Sequence, residues 1–341
     1  MLPRMHRLLE TYLTYATSRM YPWHLLLRSN PLISSAWFRY AVTDAGMLHA
    51  MLYSGALYLA LLEGKTETKD TIYHLNQTIS IINKRLSISP HFKFSNEPTS
   101  DRNVICRSDI TGAIDYGAIP CLQLERSNHL SIWSKLPEQT LQAISSDITR
   151  ILTNCDIHAD LITIMIALAN FTQAMGSAIH APEWEFDLSM CAEDMYWIEY
   201  RLLAFPAAHP NSYREKDINK ACRLGALIYI KATLEEFPHS KMGSSFLLEE
   251  LRVVLHNLQI EEARLPLLLW LSLIGAAISK SPGERERFFS YLAKLVANSS
   301  SSTFRDRELD LTRVLRTRLV LGSSVDRVWE SVIGVANTNI R

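Results

Sequence analysis

The chain has 341 residues, 48% of them apolar and 21% charged, with 35 basic side chains set against 35 acidic ones. That length suffices for one large core or two modest ones, and the balanced charge argues against a self-sufficient nucleic-acid binder, which carries a basic excess to neutralise phosphates. The cysteines Cys106, Cys121, Cys155, Cys191 and Cys222 form no Cys-x-x-Cys pair, which argues against a zinc finger or a dithiol redox motif; they read as reduced, mostly buried thiols of a cytosolic or nuclear protein.

Helical periodicity dominates from the N-terminus onward. The first predicted helix covers 3–19. Arg4, Arg7, Arg19 and Arg28 stand among apolar residues in this N-terminal stretch, with Glu10 as the sole acid. A mitochondrial presequence has a similar pattern, but an amphipathic first helix is the simpler reading. No cleavable signal peptide is evident, so the sequons at Asn76, Asn170 and Asn298 are expected to be unused. Helices follow over 36–63 and 68–87. Ser89–Val104, with Pro90, Asn96, Pro98 and Asn103, reads as an exposed loop. Further helices are predicted over 110–126, 137–153, 158–179, 191–205 and 214–236, with breaks at Ala181–Pro182 and at Phe205–Asn211.

In 247–258, Leu247, Leu248, Leu251, Val254, Leu255 and Leu258 form one buried stripe, and Ser244 or Ser245 can cap its start. After a helix over 262–279, Ser281-Pro282-Gly283-Glu284 matches a capping box with proline at the first helical position. A short helix over 285–296 then carries Phe288, Phe289, Leu292 and Leu295. Asn298–Thr303 is a serine-rich linker, and helices over 304–320 and 325–334 close the chain. Strand signals are weak and no repeat of fixed period occurs. The expectation is an all-α fold: one multi-helix domain over 1–341 with short loops, no sheet and a weak subdivision near 127–136.

Three apolar runs, Gly46–Leu62, Leu161–Ile179 and Leu265–Ser279, approach the length of about 20 residues that a membrane-spanning helix needs. His49 and Ser54 interrupt the first, Asn170, Thr172 and Gln173 the second, and the third is short. They read as buried helices of a globular bundle, with no membrane partner.

Candidate chemistry is sparse. Asp156, His158 and Asp160 form the best metal-like cluster: on a helix the two aspartates share a face and the histidine points away, whereas on an irregular segment all three can converge. Acids at a helix start that suit the dipole are the simpler explanation. Glu183, Glu185 and Asp187 alternate around Trp184 and Phe186, as on a solvated loop edge. Arg305, Arg307, Arg313, Arg316 and Arg318 are interrupted by Asp306, Glu308 and Asp310, the pattern of a mixed-charge surface helix. No nucleophile elbow or phosphate-binding loop is present. No catalytic, cofactor-binding or metal residue is therefore assigned, no cofactor is implied, and an enzyme is not expected.

Residues 219–240, from Asn219 through Cys222, Gly225 and Tyr229 to Pro238, read as one amphipathic helix. Ala221, Gly225 and Ala226 would let a neighbouring helix approach closely. Glu235 and Glu236 oppose the dipole at its C-terminal end, and Lys231, Arg201 or Arg223 is expected to offset them. This stretch resembles the signature helix of the fungal-specific transcription factor regulatory domain. The resemblance extends over roughly 8–335, through Leu8-Leu9-Glu10, the Val42–His49 segment, Ile81-Ile82-Asn83-Lys84-Arg85-Leu86, Leu122-Gln123-Leu124-Glu125, Glu199-Tyr200-Arg201-Leu202-Leu203, Leu265–Trp270 and Val325–Trp329.

Two departures accompany it. The six-cysteine zinc cluster that usually precedes this domain is missing, and Asn128-His129-Leu130 runs almost directly to Trp133, where the family has a further helical segment. The resemblance implies an all-α regulatory domain in transcription control, nuclear or otherwise cytoplasmic. It implies protein partners (itself, related factors or the transcription machinery), an unidentified small-molecule effector as an option, and no direct DNA binding. The alternative is a helical enzyme of secondary metabolism with an unidentified pocket.

Overall fold

Asp44 sets the first departure from the sequence pattern. Its backbone leaves the helical region (φ −90°, ψ 118°) and its carboxylate accepts the Met47 N–H at 2.8 Å, as a helix N-cap does. The helix expected over 36–63 is therefore two helices, Ser35–Thr43 and Ala45–Leu62.

The computed structural model describes residues 3–16, 35–65, 67–88, 110, 113–114, 118–120, 130–180, 188–208, 216–232, 242–279, 281–297, 311–315, 317, 325–328 and 330–331. Among these every regular element is helical and none is a strand, so the fold class is all-α. The chain gathers into two compact units, Met1–Val104 with Leu234–Ser240, and Ile105–Thr233 with Lys241–Arg341. The break in sequence pattern near 127–136 falls inside the second unit.

In the first unit, α1 (Pro3–Thr11) starts on a proline, whose missing N–H costs nothing there, and runs into a π-helical turn, Tyr12–Ala16. Leu8, Leu9 and Tyr12 pack with Met51, Leu52 and Ala56 of α3 (Ala45–Leu62); α2 (Ser35–Thr43) adds Ala41. At Gly55 of α3 a Cβ would fall on the carbonyl oxygen of Leu8, so only glycine allows this approach. α3 ends in a Schellman motif: the Lys65 N–H reaches the Ala60 carbonyl at 2.8 Å and the Gly64 N–H that of Leu61 at 3.0 Å. Gly64 takes the left-handed conformation (φ 71°) that this motif requires. α4 (Lys69–Ile88) starts at a reciprocal cap in which Thr68 and Thr71 each accept the other's N–H through their hydroxyls.

In the second unit, a 3₁₀ turn (Ile132–Lys135) leads into α5 (Glu138–Asn154), which buries Ile144, Ile148, Ile151 and Leu152 along one face. α6 (Ala159–His180), α7 (Leu188–Ala208) and α8 (Asp217–Ala232) follow. α9 (Met242–Asn257) starts a turn earlier than its apolar stripe suggested, so Ser244 and Ser245 lie within the helix and not at its cap. α10 (Leu265–Ile278) is buried over nearly its whole length, as expected of a helix apolar on all sides. In α11 (Pro282–Ala297) the Ser281 hydroxyl accepts the Glu284 N–H at 3.2 Å, which is the serine half of the predicted capping box. α5 packs on α6 and α6 on α7, while α8 packs against α9 and α10, and α10 against α11.

Among the described residues, two helices are long and apolar enough to cross a membrane by length and composition, Ala45–Leu62 and Ala159–Ala178, the latter 78% buried within the protein.

Candidate interaction surface

Among the described residues, no three His, Cys, Asp or Glu side chains gather in a way that could hold a metal ion. Asp156, His158 and Asp160 do not converge, and the cause is local. Asp156 is the residue just beyond α5 in a second Schellman motif: the Ile157 N–H reaches the Leu152 carbonyl at 3.1 Å and the Asp156 N–H that of Thr153 at 3.0 Å. This gives Asp156 a positive φ of 61°, which a short polar side chain tolerates better than most. Its exposed carboxylate meets Lys216 at 2.8 Å, and that ammonium holds its carboxyl below the usual aspartate value. His158 stands at the start of α6, where its ring Nδ1 accepts the Asp160 N–H at 3.2 Å and its own N–H is taken by the Asn219 side chain at 3.0 Å.

Glu183, Glu185 and Asp187 lie outside the described residues, as do Glu235, Glu236, Arg305, Arg307, Arg316 and Arg318, while Arg313 is exposed. Arg201 lies over the Trp197 ring, 5.4 Å from its centroid. Of the sequons, Asn76 is exposed on α4, Asn170 is buried in α6, and Asn298 lies outside the described residues.

The described part of the 219–240 stretch is core. In α8, Ile218, Asn219, Ala221, Cys222 and Leu224–Ile230 are all buried. A Cβ at Gly225 would meet the Leu271 side chain and the Trp270 ring of α10, so the small residues of α8 do admit a neighbouring helix. Tyr229 packs edge-on to Trp270 (centroids 5.8 Å apart) and its hydroxyl donates to the Leu315 carbonyl at 2.5 Å. Burial pushes this phenol well above its ordinary pKa. The Trp270 indole N–H is satisfied by the Thr317 hydroxyl at 3.0 Å. These groups bury and pair one another.

Cys155, Cys191 and Cys222 are free and buried; Cys106 and Cys121 lie outside the described residues. Desolvation pushes the Cys155 thiol up to about 11, so it is protonated and a poor nucleophile near neutral pH.

The surface that remains to be explained is on α4. Ile72, Leu75, Ile79 and Ile82 are 38–47% exposed and recur at spacings of three, four and three, the repeat of a coiled-coil seam. The neighbouring stripe, turned toward the rest of the unit, is more polar: Thr71 and His74 are buried and Thr78 is half-buried. α4 thus turns Thr71, His74, Thr78 and Ile81 inward and Ile72, Leu75, Ile79 and Ile82 outward.

Two contacts hold this orientation. The Arg4 guanidinium grips Asp70 at 2.7 Å, fixing α1 to the start of α4. His74 and His49 of α3 share a hydrogen bond between their Nδ1 atoms at 2.9 Å, so one ring carries its proton on Nδ1 and the other accepts. Burial, and then the nearness of His49, lowers the His74 pKa.

Periodicity in the sequence places a helix here, but it does not tell which stripe the rest of the unit covers. Compared with known proteins, the chain matches no family model, no curated protein and no solved structure.

Proposed function

We propose that the chain is a helical regulatory module of the kind that serves fungal transcription regulators, without a DNA-binding zinc cluster of its own, and that it acts in the nucleus through a protein contact made by α4. What supports the transcription reading is the order of the family-like segments along an all-α chain, with the signature stretch packed in a core. What carries the contact is the outward isoleucine stripe. Exposed apolar side chains in such a row cost solubility and are retained where a partner covers them.

The occupant is the same stripe of a second copy. Asn76, Thr78 and Asn83 flank the centre of the row and none of them is charged, so like charges on two identical helices are confined to its ends, at Lys69 and Arg85. From Ile72 to Ile82 the row runs ~15 Å. This makes it the apolar centre of a contact, with polar neighbours completing the area of ~800 Å² per partner that a stable interface needs.

Sedimentation equilibrium tests this. The full chain is expected to dimerise with rising concentration. The Leu75→Glu, Ile79→Glu double variant is expected to stay monomeric with an unchanged melting temperature, because both side chains already reach water. A chain that is monomeric at every concentration, or a double variant that still dimerises, refutes the contact.

A further inference from the structure

α9 and α11 both pack on α10 and leave a groove between them, with a cavity of about 210 Å³. Its floor is apolar, made by the buried Leu255 and Phe288. Its walls are cationic: Arg252 comes from α9, and Arg287 and Lys294, two turns apart on one face, come from α11.

Glu249 is the carboxylate at this site, and it is engaged by Arg252, which donates to it from Nε at 2.8 Å and from Nη2 at 2.5 Å. Arg287 reaches the same carboxylate only at 3.8 Å, too long for a hydrogen bond. Lys294 has no ion pair among the described residues. Arg252, Arg287 and Lys294 thus share one carboxylate, which leaves the groove with two positive charges in excess. Between them stands Tyr291, whose hydroxyl oxygen is buried and has no hydrogen-bond partner. Burial holds its proton on, with the pKa pushed up to about 12, so this hydroxyl is a donor without an acceptor.

We propose that this groove binds a small phosphate monoester, a dianion carrying a short organic group. The phosphate accepts from the Arg287 fork and the Lys294 ammonium, a planar donor beside a point charge. The organic group lies on Leu255 and Phe288, and Arg252 holds Glu249 aside. The site does not depend on the α4 contact, so either can fail without the other.

Isothermal titration calorimetry on the full chain at low salt, with glycerol phosphate as the probe, provides the test. Saturable binding is expected, weakening as ionic strength rises, with none for glycerol. Arg287→Ala and Lys294→Ala should each weaken it about tenfold or more. Absence of saturable binding overturns the proposal, as does binding that survives the Arg287→Ala, Lys294→Ala double variant. Equal affinity for succinate, a dianion without a phosphate, overturns the phosphate assignment.

Discussion

Replacing Trp270 with alanine is expected to destabilise the second unit by about 3–5 kcal/mol, the largest effect of any single truncation considered for this chain. Trp270 is 1% exposed in α10 and joins three elements. Its ring faces the gap left by Gly225 of α8, it stacks edge-on with Tyr229, and its N–H meets Thr317. Alanine leaves a void against α8 that two packed helices cannot close, and it strands the Thr317 hydroxyl. Thr317→Val separates these effects. It keeps the volume but leaves the indole N–H without an acceptor, at a cost of about 1–3 kcal/mol. Urea unfolding followed by circular dichroism measures both. A Trp270→Ala loss below that of Thr317→Val would show that the ring is not packed as described.

Gly55→Val is expected to cost the first unit about 3 kcal/mol, the upper part of the range for overpacking. Its Cβ falls on the Leu8 carbonyl oxygen, with Leu8 C at 3.1 Å and Tyr12 N at 3.4 Å. All three are backbone atoms, so α1 as a whole must move away from α3. Gly225→Val is the informative contrast. There the nearest atom is the tip of the Leu271 side chain, which can change rotamer, so the loss should be smaller. Hydrogen exchange resolved by segment distinguishes them: Gly55→Val should raise exchange in 3–16 and 45–62 and spare α8 and α10. Equal losses at both glycines would contradict the difference between a backbone and a side-chain neighbour.

What the sequence could and could not disclose follows from how local each determinant is. The Ser281-Pro282-Gly283-Glu284 cap is contained in four residues, and α11 does begin at Pro282. The 247–258 stripe needs one helix, and Leu247, Leu248, Leu251, Val254 and Leu255 are buried as the pattern demands. Asp44 was not legible, because one carboxylate within a continuous apolar periodicity does not stand out from a surface position. Asp156, His158 and Asp160 misled in the opposite sense. Their spacing suits a ligand set, but the first is a helix terminator, and its role depends on carbonyls offered by α5.

The outward stripe of α4 is visible as a period but not as a surface, since only the packing against α3 and α1 decides which side faces water. The groove between α9 and α11 has no linear signature, because Arg252 and Lys294 meet only once α10 has brought their helices together.

The three described sulfhydryls supply a clock. Cys155, Cys191 and Cys222 all belong to the second unit and all are closed to solvent in the native chain. A maleimide or iodoacetamide can reach them only during excursions in which α5, α7 or α8 exposes its interior, so the rate of adduct formation at each position, read by mass, reports the free energy of opening there. Fast modification of one sulfhydryl beside slow modification of the others would locate the seam along which this unit first comes apart.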